Sequence, residues 1–301
     1  MAGPADSLRD AVRAAVAQLS AAGVPSAEQD AIVLAAHVLG TDAGDVRKAM
    51  VLGAPAPPAY AELVSQRAAR VPLQHLTGRS GFRHLELRVG PGVFLPRPET
   101  EFVAGLAIDA ARAVQGGRPL VVDLCTGSGA IALAVKDEVT DAQVYAVELG
   151  EDAHAWAALN VELTGLDVAL VHGDAATALP ELRGRVDVVV SNPPYIPVGA
   201  EPVDPEVRDH DPELALYGGS EDGLATPLAV ARRAAYLLRP GGVLVMEHAD
   251  SQGEALPTAL ASMGCWSEIA DHPDLTDRPR ATVAVRGPSP GVGVSPRAVP
   301  G

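Results

Sequence analysis

Between residues 119 and 286, short apolar runs alternate with longer segments whose apolar positions recur every three or four residues. Leu120–Leu124, Gln143–Glu148, Val168–His172, Val186–Ser191 and Gly242–Glu247 have the length and β-branched content of buried strands. Helical spacing fills the intervals, in segments opening near Ala130 and spanning Asp152–Leu163, Thr226–Leu238 and Gly253–Met263. Ala281–Val285 reads as a late strand added at the sheet edge. Alternation of this kind predicts an α/β domain built on a doubly wound, mainly parallel sheet.

The pattern before residue 75 is helical throughout. Leu8, Val12, Val16 and Leu19 share one face from a start near Ser7. Ser26 and Gln29 have the spacing of a capping box, Ile32, Ala35, Ala36 and Leu39 line the next stripe, and Gly40 ends it. A third helix follows Pro57-Pro58, with Leu63 and Val64 on its buried side. Phe82 to Val89 alternates as a strand between glycine-rich turns, which predicts a β-hairpin linker. A further helix runs from Glu99 to about Val114. The expected organisation is a helical domain over 1–75, a hairpin linker over 76–98, an α/β domain over 99–286 and a disordered Gly/Pro/Ser tail over 287–301.

With 48% apolar residues the chain can bury a sizeable core, whereas a net charge of -15 argues against a broad phosphate-binding surface. The two cysteines, Cys125 and Cys265, make neither a disulfide framework nor a zinc site. Met1–Asp10 lacks the basic-then-apolar order of a signal peptide, and no apolar run reaches membrane-spanning length. A cytoplasmic protein is expected, with no nucleic-acid or membrane partner and a monomer as the default. His75 and His84 are too isolated for a metal site. Trp156 and Trp266 read as packing residues, and Asp204–Glu213 as a solvated acidic loop able to act as a lid.

The chemistry concentrates at strand ends. Asp123-Leu124-Cys125-Thr126-Gly127-Ser128-Gly129 joins a strand to a helix, and its glycines let backbone N–H groups approach a ligand. Those groups suit either a pyrophosphate or the amino-acid end of S-adenosylmethionine. Glu148 ends the next strand, placed to accept from ribose hydroxyls with either cofactor. Asp174, followed by Ala175, is a candidate for the adenine amino group. Asn192-Pro193-Pro194-Tyr195 after the fourth strand is the discriminating element. A planar amide or arylamine nitrogen is a poor nucleophile, and two acceptors must hold its N–H groups so that it faces a methyl group. The Asn192 side chain and the Pro193 carbonyl supply them, the prolines stiffen the turn, and Tyr195 stacks on the planar group. These four residues are the catalytic candidates. A nucleic-acid base and a protein amide both satisfy this chemistry.

From Pro72 to Arg280 the chain resembles the bacterial peptide chain release factor glutamine methyltransferases. The matching stretches are Pro72-Leu73-Gln74-His75-Leu76-Thr77-Gly78, then Phe94-Leu95-Pro96-Arg97-Pro98-Glu99-Thr100-Glu101. The glycine turn, Asn-Pro-Pro-Tyr and Gly241-Gly242 to Glu247-His248 follow in the same order. The resemblance implies a Rossmann-like class I methyltransferase domain with S-adenosylmethionine bound by Cys125, Thr126, Gly127, Ser128, Gly129, Glu148, Asp174, Ala175 and Asn192. It implies methylation of the glutamine of the Gly-Gly-Gln tripeptide of class I release factors, which the N-terminal helices help to dock. It also implies that Arg97, Glu99 and Thr100 wall the cofactor pocket. The alternatives are glutamine methylation of a ribosomal protein, or amino methylation of adenine or guanine in DNA or RNA. Two positions depart from the family pattern: Cys125 stands where glycine is usual, and Ala175 where some relatives carry a large aromatic residue.

Overall fold

In a computed structural model, residues 7–288 are described. Of the expected tail, only 287 and 288 are among them, and the remainder lies outside the described residues. The chain divides into two compact units. One runs through Ser80 and takes in Arg88–Leu95 and Glu201–Asp211; the other comprises Gly81–Leu87, Pro96–Ala200 and the chain from Pro212.

The first unit holds helices α1 (Leu8–Ala21), α2 (Ala27–Leu39), α3 (Ala43–Val51), α4 (Tyr60–Ala68) and α5 (Leu73–Thr77). Leu8, Val12 and Leu19 are buried as their spacing demands, and Val16 is half-buried. Gly40 closes α2 in the left-handed conformation, at φ 63°. Ser26 precedes α2, but its side chain accepts no backbone N–H, so the expected capping box is not formed. The sequence reading missed α3. Its only buried residue is Val46, so no apolar stripe marks it, and the Asp42 side chain that accepts from Asp45 N at 2.8 Å starts it instead.

The hairpin is shorter than expected. Strands β1 (Arg79–Phe82) and β2 (Leu85–Arg88) pair, and the turn falls at Arg83-His84 inside the stretch read as one strand. Arg83 takes φ 52° there and is held by its N–H to Glu101 Oε1 at 3.1 Å and its guanidinium to Glu138.

The second unit opens with α6 (Pro98–Arg112) and continues β3 (Leu120–Leu124), α7 (Ala130–Glu138), β4 (Gln143–Glu148), α8 (Glu151–Thr164), β5 (Val168–His172) and β6 (Val186–Ser191). After α9 (Pro205–His210), which belongs to the first unit, the second continues with α10 (Glu213–Leu216), α11 (Ala225–Leu237), β7 (Leu238–Glu247), α12 (Ala255–Ser262), β8 (Trp266–Pro273) and β9 (Pro279–Arg286). The sheet order is β5-β4-β3-β6-β7-β9-β8, parallel up to β7 and antiparallel beyond. Side chains alternate faces along each strand. Val121, Val188 and Val190 therefore pack with α6 and α7, whereas Val122, Leu124, Val189 and Leu244 pack with α11 and α12. Burial on both sides is why these strands read as unbroken apolar runs.

Two expectations are corrected here. Ala281–Val285 is not an edge strand: β9 lies between β7 and β8, and β8 forms the edge. The sequence of β8, Trp-Ser-Glu-Ile-Ala-Asp-His-Pro, is mostly polar, as an exposed edge tolerates, and carries no strand pattern to detect. Asp204–Glu213 is not a solvated loop. It contains α9, capped by Asp204 Oδ1 accepting from Glu206 N at 3.0 Å, and Glu206 is ion-paired to Arg67 and Arg70 at 2.8 Å. No helix among the described residues is long and apolar enough to cross a membrane.

Candidate active site

The chain leaves β3 toward β4 on one side of the sheet and reaches β6 on the other, so the point where the winding reverses lies between β3 and β6. Ligands bind open α/β sheets at that crevice, beyond the carboxyl ends of the strands. Leu124 and Ser191 are register partners there, and Ser191 Oγ donates to Leu124 O at 2.6 Å. The glycine turn that follows Leu124 and the Asn192 motif that follows Ser191 thus leave the sheet side by side.

Three left-handed residues shape the turn: Cys125 at φ 64°, Gly127 at 59° and Gly129 at 86°. Left-handed backbone at Cys125 explains why glycine suits that position, since a Cβ costs roughly 1 kcal/mol there. Nothing lies within 4 Å of where a Gly127 Cβ would sit. Asp123 Oδ2 accepts from Thr126 Oγ1 at 2.6 Å and from Ala132 N at 3.1 Å. Asp123 Oδ1 is buried without a partner, and burial raises this carboxyl to about 7. Thr126 and Ser128 are buried, and Asn160 of α8 donates from Nδ2 to Ser128 O at 2.9 Å, locking the turn from behind. Glu148 is nearly buried; Oε2 accepts from Gly127 N and Oε1 from Gly150 N, both at 2.8 Å. Each oxygen keeps a second lone pair. Asp174 is exposed and turns its Oδ1 onto Ala176 N at 2.8 Å, whereas Ala175 is buried with Leu179 and Leu182.

Across from the turn, Asn192 Nδ2 lies 3.4 Å from Thr100 Oγ1 and Tyr195 Oη 3.5 Å from Glu247 Oε1. Burial next to Glu247 pushes the Tyr195 phenol upward, and burial raises Glu247 to about 7. The backbone of the motif is clamped. Gln252 Nε2 donates to Tyr195 O at 3.0 Å, Ile196 N donates to Leu216 O at 2.8 Å, and Gly218 N donates to Ile196 O at 2.9 Å. Gly223 packs so closely that a Cβ there would lie 2.1 Å from Tyr195 O. The sequence reading gave no role to Asp123, Asn160, Gly218, Gly223 or Gln252. Only the glycines carried a signal, as turn residues. His248 is fully buried, with Nδ1 2.9 Å from Ala249 O. No cluster of metal-binding side chains occurs among the described residues.

This geometry agrees with what the chain resembles. Residues 10–78 match the family model of the PrmC N-terminal domain, and 108–202 that of the methyltransferase small domain. A release factor glutamine methyltransferase of Streptomyces coelicolor is 55% identical over 91% of this chain and 96% of its own length. The Mycolicibacterium smegmatis enzyme of that name is 46% identical over 93% and 98%. The chain belongs to the release factor glutamine methyltransferase family. This methyltransferase also resembles, at 40% identity over 92% of its chain and 95% of the relative, the 4-amino-L-phenylalanine/4-methylamino-L-phenylalanine methyltransferase of Streptomyces pristinaespiralis. In fold it is similar to a Pyrococcus furiosus methyltransferase, with a TM-score of 0.50 at 20% identity, over 68% of this chain and 90% of that one.

Proposed function

We propose that this methyltransferase transfers a methyl group from S-adenosylmethionine to the side-chain amide nitrogen of the glutamine in the Gly-Gly-Gln tripeptide of class I peptide chain release factors, in the cytoplasm. The observation that carries the reading is the pairing of the glycine turn with Asn192-Pro193-Pro194-Tyr195 across the β3–β6 crevice.

The residues fit the cofactor. The space above Gly127 admits a ligand against the backbone, the spare lone pairs of Glu148 suit two ribose hydroxyls, and unpartnered Asp123 Oδ1 suits a cationic ammonium. Cys125 to Gly129 hold the amino-acid end, and Asp174 and Ala175 border the adenine. S-adenosylmethionine supplies the electrophilic methyl group. Asn192 Oδ1 and the Pro193 carbonyl accept the two amide N–H bonds, which aims the nitrogen lone pair at the methyl carbon, and Tyr195 stacks on the amide plane. The new N–C bond forms as the S–C bond breaks, and the amide then sheds a proton to water. Alignment and preset dipoles supply the acceleration, so no strong base is required for the first step. The helical unit is assigned to docking the release factor.

The test is transfer of labelled methyl from S-adenosylmethionine to purified release factor, ribosomal proteins, duplex DNA and free 4-amino-L-phenylalanine. Label on the Gly-Gly-Gln glutamine is expected; label only on another acceptor refutes the proposal. Asn192→Ala should lower kcat by at least ~100-fold, the scale of a lost transition-state hydrogen bond, with cofactor affinity largely kept on calorimetry.

A further inference from the structure

Asn192 does its work only if its oxygen, not its NH2 group, faces the substrate amide, and nothing in the backbone enforces that choice. An amide side chain rotated by 180° occupies the same volume with donor and acceptor exchanged. In the structure the Asn192 Nδ2 contact is with Thr100 Oγ1 at 3.4 Å. Thr100 is buried in the first turn of α6, and its hydroxyl is near enough to the carboxyl of Glu247, at the end of β7, to favour the ionised form of that group. Glu247 is 2% exposed, its Oε1 lies 3.5 Å from Tyr195 Oη, and its Oε2 has no partner. When Glu247 is ionised it only accepts, which draws the Thr100 proton toward it. The Thr100 oxygen is then left as an acceptor, which takes an N–H of Asn192 and turns Asn192 Oδ1 outward.

We propose that Thr100 and Glu247 are positioning residues that set the orientation of the Asn192 amide, making the acceptor pair competent for a glutamine N–H. The proposal rests on the methyl-transfer reading above. It also explains why the Pro-Arg-Pro-Glu-Thr-Glu stretch, far from the sheet motifs in sequence, belongs to the same site.

The arrangement has a pH dependence with a definite sign. Burial raises the Glu247 carboxyl to about 7; Glu99 of α6 adds to the rise, while Arg280 of β9 and the hydrogen bonds from Thr100 and Tyr195 oppose it. Arg97 and Glu99 also act on Tyr195, and His248 follows Glu247 in the chain, bonded to Ala249 O. A protonated Glu247 donates to Thr100, whose own proton then turns to Asn192 and draws Oδ1 away from the substrate. Activity therefore rises as Glu247 ionises.

The experiment measures kcat, KM and cofactor Kd for the full chain with a Gly-Gly-Gln release factor. Wild type, Thr100→Val, Thr100→Ser and Glu247→Gln are compared between pH 6 and 9. Thr100→Val should lose roughly 10- to 100-fold in kcat, the range for groups acting through alignment, a larger change than in cofactor Kd. Thr100→Ser should restore most of the rate, because it restores the hydroxyl. Glu247→Gln should remove the inflection near neutrality that wild type and Thr100→Ser retain. A Thr100→Val rate equal to wild type, a Thr100→Ser rate as low as Thr100→Val, or an unchanged inflection in Glu247→Gln each overturns the proposal. Absence of wild-type transfer to glutamine would instead overturn the functional reading, so the two failures are distinct.

Discussion

Gly127 and Gly223 both adopt left-handed backbone, at φ 59° and 73°, but a methyl group added to each would meet different things. At Gly127 it would meet no protein atom within 4 Å, only the space assigned to the cofactor. At Gly223 it would meet the Tyr195 carbonyl oxygen at 2.1 Å and Gln252 Nε2 at 3.0 Å. Gly127→Ala should therefore cost only about 1 kcal/mol of stability, the left-handed penalty, while weakening cofactor binding by at least ~10-fold, about 1.4 kcal/mol. Gly223→Ala should destabilise by roughly 2–3 kcal/mol, since backbone must move, and should reduce kcat more than cofactor affinity. Urea melts and calorimetry on the two variants separate the cases. Gly127 was legible as a turn residue and Gly223 was not singled out, and the contrast between them was hidden because a sequence does not say what stands opposite a missing Cβ.

At the scale of elements, α9 shows how charge holds a segment that hydrophobic burial does not. The helix has no buried residue, yet Glu206 Oε1 accepts from Arg67 Nη1 at 2.8 Å and from Arg70 Nε at 2.9 Å. Arg67 is itself buried against Asp30 of α2, Nε to Oδ2 at 2.8 Å, and donates to Val71 O at 3.0 Å. Breaking such a group strands buried carboxylates, which costs about 3–5 kcal/mol. Arg67→Met should accordingly lower the stability of the helical unit by that order, with early proteolysis of residues 201–211 as a second readout. Wild-type susceptibility there would show that the ion cluster does not secure α9. Its acidic composition read as a solvated face because charge runs usually are one, and the partners that override this lie 139 and 136 residues away in sequence.

For the whole molecule, the buried carboxyls determine how stability responds to pH. Asp123 and Glu247 both have folded values raised to about 7, chiefly by burial. A carboxyl raised on folding favours the folded state while protonated, so its contribution declines from the ordinary carboxylate range up to about 7 and is flat above it. The net charge of -15 adds repulsion in the same direction. Without ligand, the melting temperature should fall by several degrees between pH 5 and 8, since each tenfold change in a proton-binding constant on folding is worth about 1.4 kcal/mol. Asp123→Asn should flatten that decline, and a melting temperature that rises over the window in wild type would contradict the assignment. Asp274, held at about 2 by its hydrogen bonds with Thr276 and Arg280, loses its contribution only at more acid pH.

By itself the sequence determined that β3 to β7 are strands, and it marked the residues after β3, β4 and β6 as the candidates for the chemistry proposed above. Period-two and period-3.6 patterns report which positions are buried, and Gly127, Glu148 and Asn192 to Tyr195 are specified by local chemistry at strand ends. Tertiary structure alone decided that β9 lies inside β8, that Gln252 and Gly223 clamp the Tyr195 carbonyl, and that Thr100 and Glu247 stand behind Asn192. The physical reason is that a burial pattern records that a residue has a partner without recording which. Partners distant in sequence are chosen by hydrogen bonds and close contacts that form only when the sheet is assembled.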